Sequence, residues 1–235
     1  MTGGKIMERC SKVRAVAKVS MLAALFNACA MLIAATTIAH AQDKPISIVA
    51  FGDSLTAGFG LQPNQSFPAQ LEKALRDKGL AVEVINAGVS GDTTAAGLQR
   101  FDWAVPESFD AAILALGAND ALRGVDPAET RKNLDQILQK LKAKRAAVLL
   151  VGMQSPRNWG DDYVKRFDPI FPDLARAYDT LLYPFFLDKV ALKPELNLDD
   201  GMHPNAKGVA IMVEAILPQV EELVARAKAK RAAAN

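Results

Sequence analysis

Five short runs rich in apolar and β-branched residues recur along the chain: Ile46–Phe51, Val82–Ile85, Ala111–Leu116, Ala147–Val151 and a weaker one at Leu181–Phe186. Between them the apolar positions fall at helical spacing. Phe67, Leu71 and Leu75 recur every fourth residue within 67–76, and Leu134, Ile137, Leu138 and Leu141 share one face of 133–144. The segment 205–228 repeats the pattern with Val209, Met212, Val213, Ile216, Val220 and Val224, and Pro218 is expected to kink it. Strands that are apolar throughout, alternating with helices, predict a parallel sheet covered on both faces, because a strand with one wet face alternates apolar and polar residues. The fold class is therefore α/β, a three-layer αβα sandwich in one domain. Ligands in such folds sit at the carboxyl ends of the strands, so the informative residues are those that follow each run.

Upstream of this body, Val19–Ala39 is nearly continuous apolar sequence preceded by positive charge and followed by Ala39-His40-Ala41. That pattern predicts a secretory signal peptide over residues 1–41, cleaved near Ala41/Gln42, with residues 42–235 forming the domain and delivered to the periplasm or medium. Two other readings are an uncleaved membrane anchor, since the run approaches the ~20 residues that span a bilayer, and a lipoprotein acylated at Cys29.

Composition sharpens the picture in two places. Lys5, Arg9, Lys12, Arg14 and Lys18 against Glu8 give the leader +4 of a total of +2, so the remaining 194 residues carry −2. The body lacks the summed positive field that non-specific nucleic-acid binding draws on, and no nucleic-acid partner is expected. Both cysteines, Cys10 and Cys29, lie in the leader, as does His40, leaving His203 as the single histidine of the body. Thiol catalysis, cysteine zinc sites and multi-histidine metal sites are excluded from that body, and no metal or cofactor is expected.

The first run is followed by Gly52-Asp53-Ser54-Leu55-Thr56-Ala57-Gly58. It lacks the glycine order and the Gly-Lys-Ser/Thr of phosphate loops. A serine in this setting is either a turn or helix-capping residue or a nucleophile. A partner stands near the C-terminus, where Asp200-Gly201-Met202-His203 places an acid three residues before the only body histidine. An acid at that spacing can hold one imidazole nitrogen and leave the other facing a hydroxyl. Asp199 is an alternative orienting acid. The second run leads into Asn86-Ala87-Gly88-Val89-Ser90-Gly91-Asp92-Thr93 and the third into Gly117-Ala118-Asn119-Asp120. A glycine amide and an asparagine side chain at neighbouring strand ends can both address an oxygen that becomes negative during acyl transfer. The same residues also fit ordinary turns and a helix start capped by Asp92 or Thr93.

Taken together, Gly52-Asp53-Ser54-Leu55, Gly91, Asn119 and Asp200-x-x-His203 resemble the four blocks of the SGNH hydrolases, the GDSL lipases and esterases. Within that family the chain is most similar to the bacterial thioesterase I, lysophospholipase L1 and arylesterase group. The resemblance implies a flavodoxin-like five-stranded sheet in the order 2-1-3-4-5. It assigns Ser54 as nucleophile, His203 as base and Asp200 as its orienting acid, with an oxyanion hole of the Ser54 amide, the Gly91 amide and the Asn119 side chain. The resemblance also implies that the serine sits on a gentler turn than the G-x-S-x-G elbow of α/β-hydrolases. Ala118 stands where relatives often have glycine, which is tolerated if its backbone angle is ordinary.

The function expected on this basis is a secreted serine esterase for aryl or short to medium acyl esters, and possible substrates extend to acyl thioesters and lysophospholipids. A carbohydrate O-acetylesterase and a non-catalytic periplasmic binding module are the alternatives. Phe59, Leu61, Leu122, Met153, Trp159 and Tyr163 are candidates to line an acyl or aryl groove, with 120–127 as a movable lip and Arg123 and Arg157 available to an anionic head group. Partners are limited to the small-molecule substrate, and membrane contact to the leader or a lipid substrate.

Overall fold

In the computed structural model, which describes residues 44–234, β1 (Ile46–Gly52) is an inner strand with Ile48 to Phe51 fully shielded from solvent. It hydrogen-bonds in parallel to β2 (Val82–Gly88) on one side and β3 (Ala111–Ala115) on the other. β4 (Ala147–Val151) and β5 (Leu181–Tyr183) extend the sheet, giving the order β2-β1-β3-β4-β5 with every pair parallel. The leader, its junction at Ala41/Gln42 and both cysteines lie outside the described residues.

The helices are α1 (Ser54–Ala57), α2 (Phe67–Asp77), α3 (Thr94–Ala104), α4 (Ala118–Leu122), α5 (Pro127–Ala143), α6 (Asp161–Phe167), α7 (Ile170–Tyr178) and α8 (Ala206–Ala234). α2 packs with α8, and α5 packs with both α3 and α7, so two helical layers cover the sheet. β3 and β4 are buried along their whole length, as apolar runs between two layers should be. β2 departs from that expectation: Glu83 and Asn86 are exposed because it is the edge strand.

α8 buries Val209, Met212, Val213, Ile216, Val220, Leu223 and Val224 against α2, β4 and β5. Pro218 does not end this helix. It occupies the exposed side, where the carbonyl of Glu214, deprived of its usual donor, can be hydrated. Among the described residues no helix is long and apolar enough to cross a membrane.

Candidate active site

All four sequence blocks emerge at one edge of the sheet, beyond the carboxyl ends of β1, β2 and β3 and at the start of α8. Ser54 opens α1 directly after β1. Asp53 caps that helix by accepting the Leu55 N–H at 3.0 Å, which turns the chain sharply without positive φ at either residue. As the first helical residue, Ser54 has an amide with no intrahelical acceptor. α1 is seated on β2: Asn86 donates to the Ala57 carbonyl at 3.2 Å, and Gly88 approaches so closely that a Cβ there would lie 2.3 Å from the Ala57 nitrogen. The Asn-Ala-Gly segment is thus the seat of the serine helix.

His203 reaches the serine from a loop pinned at its base. Leu198 N–H donates to the His203 carbonyl at 2.7 Å, and Asn205 N–H to the Leu196 carbonyl at 2.9 Å. Asn205 also caps α8 through the Lys207 and Gly208 amides, while buried Asn197 donates to the Val190 and Lys193 carbonyls. Within this loop Asp200 accepts three hydrogen bonds, from the Met202 and His203 amides at 2.9 Å each and from the His203 ring at Nδ1, 2.7 Å. Those donors, the His203 amide foremost, hold its carboxyl down at about 2. An ionised carboxylate only accepts, so Nδ1 carries the ring proton and Nε2 turns its lone pair to the Ser54 Oγ, 2.9 Å away. Asp199 is exposed and makes no such contact.

Gly91 adopts φ +87°, in the region that favours glycine, and among the described residues its N–H donates to nothing. Asn119, in α4, donates through Nδ2 to the Asp92 carbonyl at 2.9 Å, which holds the amide beside the Gly91 turn. Ala118 keeps an ordinary backbone angle, the positive φ being taken by Gly117 at +119°.

Beneath this corner lies buried polar wiring that the sequence motifs did not announce. Asp92 pairs with Arg100 at 2.5 Å; Arg100 also donates to the Gly52 carbonyl at 2.9 Å and lies 4.2 Å over the Phe51 ring. Thr93, not Asp92, caps α3. Asp120, fully buried, accepts from the Thr94 amide at 2.8 Å and hydroxyl at 2.5 Å and from Thr130 at 3.3 Å, joining α3, α4 and α5. Asp53 is nearly as deep, and burial raises its carboxyl to about 7 against the opposing Leu55 N–H.

The groove candidates separate into two kinds. Phe59 packs tilted against the His203 ring at 4.4 Å between centroids and, like Leu122, is about half exposed. Trp159 and Tyr163 instead hold the 120–127 segment, donating to the Ala121 and Val125 carbonyls at 2.8 Å each, and Met153 is buried. Arg123 donates to the Gly91 carbonyl at 3.0 Å, and Arg157 pairs with Asp168. Val89 and Met202, which the sequence reading did not single out as groove candidates, lie in loops of the site blocks and, like Phe59, Leu122 and Trp159, are large apolar side chains left exposed.

A hydroxyl, an imidazole and a carboxylate in bonding sequence beside unspent amides, on a 2-1-3-4-5 parallel sheet, define a serine hydrolase acting on ester bonds. The chain belongs to the GDSL-like lipase/acylhydrolase family, whose model matches residues 50–211. It is 37% identical over 205 residues to the esterase TesA of Pseudomonas aeruginosa, which covers 87% of this chain and all of that one. It is also 37% identical over 179 residues to the thioesterase 1/protease 1/lysophospholipase L1 of Escherichia coli K12, covering 76% and 85% of the two chains. Among solved structures, AlinE4, an SGNH-hydrolase family esterase, superposes with a TM-score of 0.64 at 49% identity over 76% of this chain and 96% of that one.

Proposed function

We propose that the protein is an exported serine esterase that cleaves carboxylic esters through an acyl-enzyme on Ser54. The observation that carries the reading is the unbroken relay from Ser54 Oγ to His203 Nε2 at 2.9 Å and from Nδ1 to Asp200 at 2.7 Å. In the first step Oγ attacks the carbonyl carbon while its proton passes to Nε2. The tetrahedral oxyanion is received by the amides of Ser54 and Gly91 and by the second N–H of Asn119 Nδ2, whose first is spent on Asp92. The imidazolium, steadied by Asp200, returns the proton to the leaving oxygen or sulfur as the carbonyl re-forms. Water then repeats the sequence, frees the acid and restores Ser54.

The apolar edge formed by Phe59, Val89, Leu122, Trp159 and Met202 favours an acyl or aryl group laid along an open rim. Aryl and short to medium acyl esters are the substrates this surface fits best. Acyl thioesters and lysophospholipids are added because relatives carry those names. Export rests on the leader, with residues 42–235 as the mature domain, and places the enzyme in the periplasm or medium.

The test is a hydrolysis panel of aryl acetate, longer acyl esters, acyl-CoA, lysophospholipid and acetylated sugar, run on the wild type beside Ser54→Ala. A fluorophosphonate should label a peptide containing Ser54. Wild-type hydrolysis in the variant, or no label on an active protein, would refute the assignment. N-terminal sequencing of protein recovered outside the cytoplasm should begin at Gln42.

A further inference from the structure

The opposite edge of the sheet, where the strands begin and α5 and α8 end, has a different character. Two grooves of about 410 and 570 Å³ meet there, sharing Lys142 and Lys230. Their charged lining is six cations, Lys142, Lys144, Arg145, Arg226, Lys230 and Arg231, against two carboxylates, Asp110 and Asp179. Asp110 is engaged by Arg231, and Arg226 is paired with Glu222. Lys142, Lys144, Arg145 and Lys230 have no carboxylate partner among the described residues; Lys230 and Lys144 reach only the Ala146 and Pro106 carbonyls. Helix carboxyl termini attract cations, yet one at the end of each helix satisfies that preference. The excess is a segregation of charge, since residues 42–235 as a whole carry −2.

We propose that this pole docks on the surface of an anionic phospholipid bilayer. Charge complementarity supplies the attraction, and exposed Ala229, Ala233 and Ala234 keep the surface between the cations low and apolar. The path of the chain selects a bilayer over other polyanions. Arg231 donates to the Lys44 and Pro45 carbonyls, so the polypeptide enters the body at this pole. The apolar run ending at Ala39 precedes Lys44 by five residues, at most about 18 Å of extended chain. A membrane that holds this run is therefore within reach of the cations, and after cleavage they can still hold the surface alone. The serine lies at the far end of β1, about 23 Å away at the ordinary rise of a strand, so docking leaves the site open to the aqueous compartment. This extends the sequence expectation, which limited membrane contact to the leader or a lipid substrate.

The experiment compares lysine acetylation of the full chain on vesicles of phosphatidylcholine and on vesicles with about a third phosphatidylglycerol. An inserted leader tethers the protein to both, so the difference reports the basic pole. Lys44, Lys142 and Lys230 should be protected severalfold on the anionic vesicles only, with Lys189 and Lys207 unchanged and the protection lost in about 0.5 M salt. Each cation near an anionic surface is worth about fivefold in partitioning. The K142Q/K144Q/R145Q/K230Q variant should therefore lose Lys44 protection, with affinity falling roughly 600-fold if the four act independently, while hydrolysing a soluble aryl ester normally. Equal reactivity on both vesicles, undiminished Lys44 protection in the variant, or protection by duplex DNA without protection by vesicles would each overturn the proposal.

Discussion

Asp200→Asn is the sharpest perturbation of the relay because it changes one atom and keeps the loop. The amide oxygen can still accept the Met202 and His203 N–H groups that the carboxylate accepts at 2.9 Å, so the turn before α8 keeps its anchors. The second oxygen, 2.7 Å from Nδ1, becomes an NH₂ group that donates and cannot accept. The ring then carries its proton on Nε2, pointing N–H at Ser54 Oγ in place of a lone pair. A base held in the wrong tautomer costs about 10⁴-fold in kcat where this exchange has been made in another hydrolase, and the geometry here calls for a loss of similar order. Substrate contacts are untouched, so KM should stay within about twofold and the loss should fall on kcat. The assay is steady-state hydrolysis of an aryl acetate at pH 8 beside thermal melting, which should fall only modestly, as the bonds that lower the Asp200 carboxyl are made more weakly by an amide. A variant within tenfold of wild-type kcat would mean that Asp200 does not set the tautomer, and the relay would have to be redrawn.

Three further outcomes follow from the same geometry. Asn119→Ala should lower kcat by about 10²- to 10³-fold through loss of an oxyanion donor, read as kcat against KM, with melting little changed. Arg100→Met should destabilise by about 3 to 5 kcal/mol in urea titration, because it leaves Asp92 buried without its cation; an effect under 1 kcal/mol would show that Asp92 finds another partner. Asp53 is raised by burial from 3.8 to about 7, so the folded state keeps a proton that the unfolded chain releases: its stability contribution is complete below about pH 4, declines through pH 7 and is level above. Asp53→Asn, which can still accept the Leu55 N–H, should remove that decline and raise stability at pH 8 by about 4 kcal/mol at most; an unchanged pH profile of melting would place the ordinary carboxyl value at Asp53.

Much of this architecture can be read before any coordinates, and the gaps have physical causes. β3, β4 and β1 beyond Ser47 declare themselves because both faces are buried, leaving no place for a polar residue. α3 hides because its buried face is Thr94, Gly97, Arg100 and Phe101, so its inward positions do not recur as apolar residues. β5 shows only as the weak run Leu181–Phe186, because the strand itself is the three residues Leu181–Tyr183, too short for a period. The side chains proposed to react are found together because each sits in a short block with its own chemistry, and the fold brings Ser54, His203 and Asp200 within hydrogen-bond reach. Their supports go unannounced in the sequence: Asp92 looks like a helix cap, and only its spacing of two turns from Arg100 hints at a pair. Asp120 looks like a turn residue, whereas its partners Thr94 and Thr130 come from other helices.

The difference between reacting groups and supports also explains how the four blocks hold register. An apolar contact has no preferred direction and tolerates small sliding, whereas an oxyanion donor must be held in both distance and angle. Near the serine the elements are joined by directional bonds: Asn86 to α1, Arg100 to the Gly52 carbonyl at the end of β1, Asp120 to the start of α3, and Asn119 to the Asp92 carbonyl. Each fixes a distance and an angle, and each costs desolvation that an apolar core would not require. Asp53, held near 7 by its burial, is where that cost is most visible. Substitutions among these supports should therefore divide by mechanism. Those that leave a charge unpaired lower stability and activity together. Those that keep every bond but remove charge, as Asp53→Asn does, should leave the serine in place and the fold firmer.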